Sequence, residues 1–543
     1  MSPPDAPKAL QPSKTSAQDV VDAEIRAYVY SLVSALGGAG GGNDGRYVLG
    51  DDALACLKDL RRWLSLYDQK LDRLDVARCL AEANVVSGDL LEILAAWPEE
   101  AQQSKLSSRL ALSCLELLVP LTWPLDKTEE NKTVNHHRHI PYLQLAQVSY
   151  KRDILHHDTA KILRAVVRIA LPSIAEPLRE RSVRDQSITN LVLYFLRNVA
   201  MIAPPYNLPL EWDENKVSRS ATIEAFHSQD IFHFLLAISS GMGDEFDKED
   251  VIVLEILFHL LKGVDVTKLF MEDTQLHKNK NDELREMLDK EAKMLRGYAR
   301  NAPSRHNRFG TMIWVKRDDE RVSTVSGQKG LVDGQRSLEM MDQSKKWNRP
   351  KARRPKKVES VYDDFDLPTH LSIEANQHLR TFVGDFLDSG FNPLFTHLRK
   401  VIEREGERLL ESHKRQFFYM ISWFLEAERA RHGASKRNSP AEVSGQGSEM
   451  DRFSLVASVL NPETLVLLNR FMENARDVKD WHDLKASMRS FTQILLTTQE
   501  MSDSPLEEDQ EIAENIQNRV FYEQSTHDRV LGILREYKDQ DFA

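Results

Sequence analysis

Cysteine is nearly absent from this 543-residue chain, which holds three: Cys56, Cys79 and Cys114. So sparse and odd a set builds no disulfide framework and points to a reducing compartment. Apolar runs long enough to span a bilayer are missing as well. The most apolar segment, ITNLVLYFLRNVAMIA (188–203), is interrupted by Arg197 and Asn198 and reads as a buried core helix. The opening MSPPDAPKALQPSKTS is polar and Pro-rich, and it lacks the apolar h-region of a secretory signal. A soluble, intracellular protein with no membrane partner is expected. The sequon Asn131-Lys132-Thr133 then carries no glycosylation meaning.

Signatures of catalysis are also lacking. There is no H-E-x-x-H, C-x-x-C or G-x-S-x-G, and no G-x-G-x-x-G after a strand. The tract GGAGGGNDG (37–45) has neither the Lys-Ser/Thr of a phosphate loop nor a preceding β-run, and reads as a flexible helix–helix linker. His136, His137 and His139 cluster in NHHRH, but no Cys or carboxylate pair at zinc spacing lies nearby. They are expected to be solvated loop histidines. Carboxylates share helix faces with Lys and Arg, as in VIEREGERLLESHKR, where a solvated, salt-bridged face is the natural reading. No enzyme, metal or cofactor is predicted.

Period-2 strand patterns are almost missing; GTMIWVKR and RYVLG are the exceptions, each too short to build a sheet. The helical period, by contrast, runs nearly everywhere. Val21, Ile25, Tyr28, Leu32 and Leu36 recur every three or four residues, with Ser16 placed as an N-cap. Leu54, Leu57, Leu60 and Leu64 line one face of the next helix. Consecutive helices with short loops predict an all-α fold, a right-handed α-solenoid of degenerate armadillo/HEAT-like repeats. A compact multi-helix bundle is the alternative. The expected organisation is a disordered N-terminus (1–15), a helical-repeat region (16–301), a basic and largely irregular loop insertion (302–370) and a continuation of the repeats (371–431). A disordered linker (432–450) and a C-terminal helical region (451–543) follow.

The insertion reverses the charge of the chain. Residues 304–357 hold fifteen Lys and Arg against six Asp and Glu, a net of +9 in a chain of net charge -11. Such a reversal marks an anionic partner, most commonly a nucleic-acid backbone. The candidate DNA-binding residues are Arg305, Arg308, Lys316, Arg317, Lys345, Lys346, Arg349, Lys351, Arg353, Arg354, Lys356 and Lys357. Trp347 is placed to stack on a base or sugar. KKWNRPKARRPKK (345–357) also has the composition of a nuclear localisation signal, and the two roles are compatible. For SRHNRFG a structural role is an equal reading, with Phe309 docking on the repeats and Gly310 allowing a tight turn.

Several segments are familiar in order. SRHNRFGTMIWVK (304–316) resembles the R-H-x-R-F-G segment of the Timeless family of replication-fork proteins. ANVVSGDLLEILAAWP (83–98), QVSYKRDIL (147–155) and LYFLRNVAMI (193–202) resemble three more family segments. The run from 391 to 429, FNPLFTHLRK onward, is similar to the fungal branch, whose members form a fork protection complex. Family members are about twice this long, so a carboxy-terminal half is expected to be missing. The resemblance implies a nuclear, non-enzymatic scaffold that pairs with a Tipin-type subunit and travels with the replicative helicase. It also implies contact with duplex DNA ahead of the fork, with topoisomerase I and with a Claspin-type checkpoint mediator.

A Tipin-type partner needs an apolar face, and the terminal repeat of a solenoid leaves one uncovered. Phe453, Leu467, Phe471, Trp481, Leu484, Phe491 and Leu495 are the candidate partner-binding residues, with Trp481 and Phe491 as anchors. Two other readings compete: an armadillo-like peptide-binding adaptor without DNA contact, and an enzyme with an unrecognised helical site.

Overall fold

The structure, a computed structural model, describes residues 21–39, 47–97, 105–125, 132–204, 213–271, 275, 281–282, 284–293, 312–316, 322–326, 369–406, 409–438, 452–522 and 524–536. The chain divides into two units, one of 1–270 with 368–543 and one of 271–367. Among the described residues the fold is all-α, apart from two small β-ribbons and a short bridge between Met242 and Phe246.

The larger unit begins with α1 (Ala23–Leu36), whose first turn is capped by the Asp22 carboxylate accepting from the Glu24 N–H. Ser16 lies outside the described residues. The strands β1 (Gly37–Ala39) and β2 (Tyr47–Leu49) then pair antiparallel, Gly37 opposite Leu49. RYVLG thus contributes a strand, and part of the glycine tract is its partner rather than a plain linker; the remainder of the tract lies outside the described residues. Next come α2 (Ala53–Trp63), α3 (Asp75–Glu82), α4 (Leu91–Ala95), α5 (Lys105–Thr122) and α6 (Val134–Leu155). Asp68 sits in a π-helical turn after α2 and accepts from the Val76 and Ala77 N–H groups at 3.0 and 2.7 Å, serving the first turn of α3.

The chain continues through α7 (Ile162–Ile174), α8 (Val183–Met201), α9 (Arg219–Ser228), α10 (Ile231–Ser240), α11 (Asp250–Leu261) and the single turn α12 (Val266–Leu269). After the smaller unit follow α13 (Ile373–Ser389), α14 (Phe391–Glu405), α15 (Glu411–Asn438), α16 (Pro462–Val478), α17 (Trp481–Ser502), α18 (Glu507–Tyr522) and α19 (Gln524–Glu536). Starts are signalled by side chains that accept backbone N–H groups: Ser182 for α8, Ser218 for α9, Ser372 for α13, Asn461 with Pro462 for α16, and Asp480 for α17. Each such cap stabilises by about 1 kcal/mol.

One core runs through this unit. Helix α8 packs against α5, α7 and α11; α11 packs against α15; α15 packs along α17, which is flanked by α16 and α18. Between α13, α14 and α15 the core is aromatic: Phe391 and Phe395 stack at 4.4 Å, Phe386 and Phe424 at 5.0 Å, Phe395 and Phe417 at 5.6 Å. Gly390 lets α13 turn into α14, since a Cβ there would sit 2.9 Å from the Phe386 ring and 3.0 Å from the Ser239 Cβ.

The two halves of this unit are sewn together where the smaller unit interrupts them. Thr369 N–H donates to the Gly263 carbonyl at 2.9 Å, and Arg219 donates to Thr369 Oγ1 at 2.9 Å and to the Lys262 carbonyl at its other side. Gly263 N–H donates to the Tyr419 hydroxyl at 3.1 Å, and Trp423 Nε1–H donates to the Val264 carbonyl at 3.0 Å. Residues more than a hundred positions apart in sequence therefore close the gap directly.

The smaller unit contains a helical stretch within 281–293, with a Glu286–Lys290 ion pair at 3.2 Å across one turn. Its hairpin pairs β3 (Met312–Lys316) with β4 (Val322–Ser326), Trp314 opposite Thr324. MIWVK within GTMIWVKR is thus the short strand its pattern suggested, paired with one partner.

The expectation for NHHRH is corrected. These histidines lie in α6, not in a loop, because the helix starts at Val134 and runs through Pro141. His136 closes a capping box with Thr133, and its ring is buried. His139 is fully buried with Nε2 3.0 Å from Asp75 Oδ1; burial pushes its imidazole pKa down against the pull of that carboxylate. His137 alone faces solvent.

Candidate functional site

Two surfaces were predicted to carry the function. Of the basic set, Arg305, Arg308, Arg317, Lys345, Lys346, Arg349, Lys351, Arg353, Arg354, Lys356 and Lys357 lie outside the described residues, as do Phe309 and Trp347. Lys316 ends β3, with its backbone opposite Val322.

The second surface is described in full. Leu467 and Phe471 share the inward face of α16 at i, i+4. They line a groove of about 870 Å³ with Ile402 of α14, Leu409, and Phe418 of α15. The Phe418 and Phe471 rings lie 4.8 Å apart at its floor, while Glu403, Lys414 and Arg470 stand at its rim. Leu484 and Phe491 are buried on α17, whose inward face meets α15 and α16. Phe453 is buried with the Arg452 guanidinium 4.8 Å over its ring. Trp481, the first residue of α17, and Leu495 remain half-exposed. All four are buried; Leu467 and Phe471 line the groove from beneath, whereas Leu484 and Phe491 lie in the helix packing.

Two charged clamps hold α17 in place. Arg415 of α15 donates to Asp480 Oδ2 at 3.1 Å and also to Asp483 Oδ1. Asp480 meanwhile caps α17 through the His482 and Asp483 N–H groups. Arg452 grips both oxygens of Glu428 at 2.6 and 3.1 Å and reaches Glu500 at 2.7 Å. Burial pushes the Glu428 and Asp483 carboxyls up, and the paired guanidinium opposes the rise at each. Fixed in this way, α16 and α17 offer a preformed surface.

Apolar residues that sequence reasoning passed over also reach solvent here. Leu410 is 63% exposed, Val466 49% and Val478 70%. Val466 and Val478 sit off the buried stripe of α16, and that misfit with the helical period was the available signal; Leu410 lies just before α15.

Among the described residues no three His, Cys, Asp or Glu side chains gather as a metal ion requires. No described helix is long and apolar enough to cross a membrane.

Comparison with known proteins brings in what the geometry does not. The chain is 60% identical over 526 residues to Topoisomerase 1-associated factor 1 of Neosartorya fischeri, covering 96% of this chain and 44% of that protein. It is 59% identical over 526 residues to the protein of the same name from Aspergillus fumigatus, covering 96% and 45%. With the Aspergillus oryzae protein of that name it shares 59% over 531 residues, covering 97% and 45%. The family described as Timeless protein matches residues 46–315.

The chain belongs to the Timeless family.

The match to the Timeless description runs from β2 through α12 and reaches into β3. It takes in SRHNRFGTMIWV (304–315), most of the segment that carries the resemblance. The similarity to fungal relatives extends over α13 to α19 as well, since it covers nearly all of the chain. This Timeless-family chain spans less than half the length of the curated relatives it matches.

Proposed function

We propose that this chain is the scaffold part of a nuclear fork protection complex, acting by binding and not by catalysis. In this reading its helices form a degenerate armadillo/HEAT-like solenoid that takes a Tipin-type subunit, the replicative helicase and a Claspin-type mediator. The basic segment around 304–357 binds duplex DNA and carries a nuclear localisation signal. Topoisomerase I is a further partner in this reading, supported by the name the relatives carry, Topoisomerase 1-associated factor 1. Such a scaffold stabilises and pauses forks and supports the S-phase checkpoint.

The observation that carries this reading is the 60% identity over nearly the entire chain to a fungal Topoisomerase 1-associated factor 1. The local net charge of +9 supports the DNA contact. The groove under α16 supports a helical partner, because an amphipathic helix seats its apolar face in such a groove.

The test is co-elution of residues 1–543 with the Tipin-type subunit of the same organism on size exclusion, beside a version with the exposed groove residue Arg470→Glu and with Val478→Glu. A complex that forms with the unaltered chain and fails with the altered one supports the reading. No complex with either moves the partner site off these helices. For DNA, affinity for a labelled duplex should fall steeply between about 50 and 200 mM salt. It should fall again on Lys345→Glu with Lys346→Glu and Arg353→Glu. A salt-independent or absent signal favours the alternative, an armadillo-like adaptor without DNA contact.

A further inference from the structure

A second accessible surface lies far from the C-terminal helices in sequence. Helices α2, α5 and α8 each turn one face toward a common groove. On α2 and the π-turn that follows, Leu54, Lys58, Arg61, Arg62 and Leu66 recur at helical spacing. Arg109, Leu112 and Glu116 do so on α5, and Arg184, Ile188 and Leu191 on α8. The groove holds about 710 Å³ and continues into a neighbouring hollow of about 340 Å³ that shares Arg61, Leu112, Glu116 and Arg184.

Its charge is one-sided. Among the described residues, Lys58, Arg61, Arg62, Arg109 and Arg184 line it against a single lining carboxylate, Glu116, which Arg61 already pairs. The rest of the chain carries net negative charge, so the cations are concentrated here against the trend. Between them the lining is apolar, and Leu66 is 53% exposed. The face from 54 to 66 is about 18 Å long, at 1.5 Å per residue. That length matches about three turns of a helix.

We propose that this groove docks a short acidic amphipathic helix from a partner protein. Acidic side chains of the guest meet the Lys and Arg rim, and its Leu- or Ile-type residues cover Leu66, Leu112 and Ile188. Charge complementarity sets the on-rate and orientation, while apolar burial holds the guest. A duplex is the poorer fit, since its phosphate surface has nothing to place on an apolar floor. The groove is independent of the basic segment and of the α14–α16 groove, so the inference stands apart from the function proposed above.

The test selects from a phage-displayed library of random helical peptides on residues 1–543. Peptides rich in Glu or Asp with Leu at i, i+3, i+4 are expected. A fluorescein-labelled synthetic copy of the leading peptide should bind at least tenfold more weakly to Arg62→Glu with Arg109→Glu, and more weakly to Leu66→Ser. All three side chains are at the surface, so circular dichroism should be unchanged. A copy with its Glu residues replaced by Lys should recover affinity for the double charge reversal. Selected peptides with no acidic bias, or equal affinity for wild type and both variants, overturn the proposal. So does a labelled duplex that binds wild type and loses affinity on the same charge reversal while the peptides do not, which would assign the groove to nucleic acid.

Discussion

Trp423 and Val264 stand 159 residues apart in sequence, yet the Trp423 indole N–H donates to the Val264 carbonyl at 3.0 Å. Trp423 is fully buried on α15, and Val264 lies in the turn that leads toward the smaller unit. The contact binds the helices after the interruption to those before it. Replacing Trp423 by Phe keeps most of the apolar bulk and strands a buried carbonyl. The expected cost is about 1–3 kcal/mol. Trp423→Ala should cost about 3–5 kcal/mol. Urea unfolding reads both as shifts in midpoint with little change in slope.

The interruption itself should be dispensable for folding. Thr369 already bonds Gly263, and Ser372 N–H donates to Ser220 Oγ at 2.9 Å, so the returning chain is anchored on residues of the departing one. A chain with 271–367 replaced by a short Gly/Ser linker is expected to retain its thermal midpoint and helical circular dichroism. It should lose salt-dependent duplex binding. Global unfolding of this variant would show that the smaller unit supports the core.

Arg415 and Asp483 form a partly buried pair. Removing Arg415 leaves the buried Asp483 carboxylate without its mate, which is costlier than removing both. Arg415→Met is expected to destabilise by about 2–4 kcal/mol, and Asp483→Asn to recover part of that loss in the double variant. A double-mutant cycle should give a coupling of about 1–3 kcal/mol. A coupling near zero would mean that helix packing alone holds α17 on α15.

Lys151 predicts a pH dependence. Its ammonium is buried in α6 and donates to the Ile202 carbonyl at 2.7 Å. Burial, helped by the nearby positive charge of Arg219, pushes its pKa from 10.5 down to about 7. Between those values the unfolded chain binds more protons than the folded one, so stability contributed here rises as pH goes from about 7 to about 10. Below pH 7 the full cost of the buried charge is present. Lys151→Met should raise the thermal midpoint at pH 6–7, and its advantage should shrink toward pH 10. An advantage that is flat across that range would refute the buried-charge explanation.

Among the candidate partner residues, burial separates stability from binding. Phe491 is buried, so Phe491→Ala is expected to cost about 3–5 kcal/mol and to depress partner affinity only through the fold. Val478→Lys, at an exposed position, should leave the midpoint within about 0.5 kcal/mol and still weaken the Tipin-type complex. Thermal shift beside pull-down at equal folded protein separates the two.

Much of the helical layout was legible in advance. Of Leu54, Leu57, Leu60 and Leu64, read as one face, the last three are buried and Leu54 is half-buried, and 188–201 lies in a core helix. Its two polar residues are built in: Arg197 donates to Glu255 at 3.0 Å and to Asn198, whose amide donates to the Val119 carbonyl at 3.1 Å. Tyr28 belonged to the predicted apolar stripe, yet it is 41% exposed, its ring 5.0 Å from Trp63. Pro141 lies inside α6, two turns after its start, because Thr133 and His136 supply the cap that begins the helix at Val134.

From its own order of residues, then, the chain determines where helices form, that no known catalytic signature is present, and which family it resembles. Those properties depend on spacing along one segment and on motifs in sequence. Tertiary structure alone decided that Val264 meets Trp423, that Phe491 is covered while Val478 is not, and that the cations of α2, α5 and α8 face one groove. Apolar burial is non-directional. A stripe of leucines states that it will be covered, but not by which of a dozen other stripes, and the answer exists only once all of them pack together.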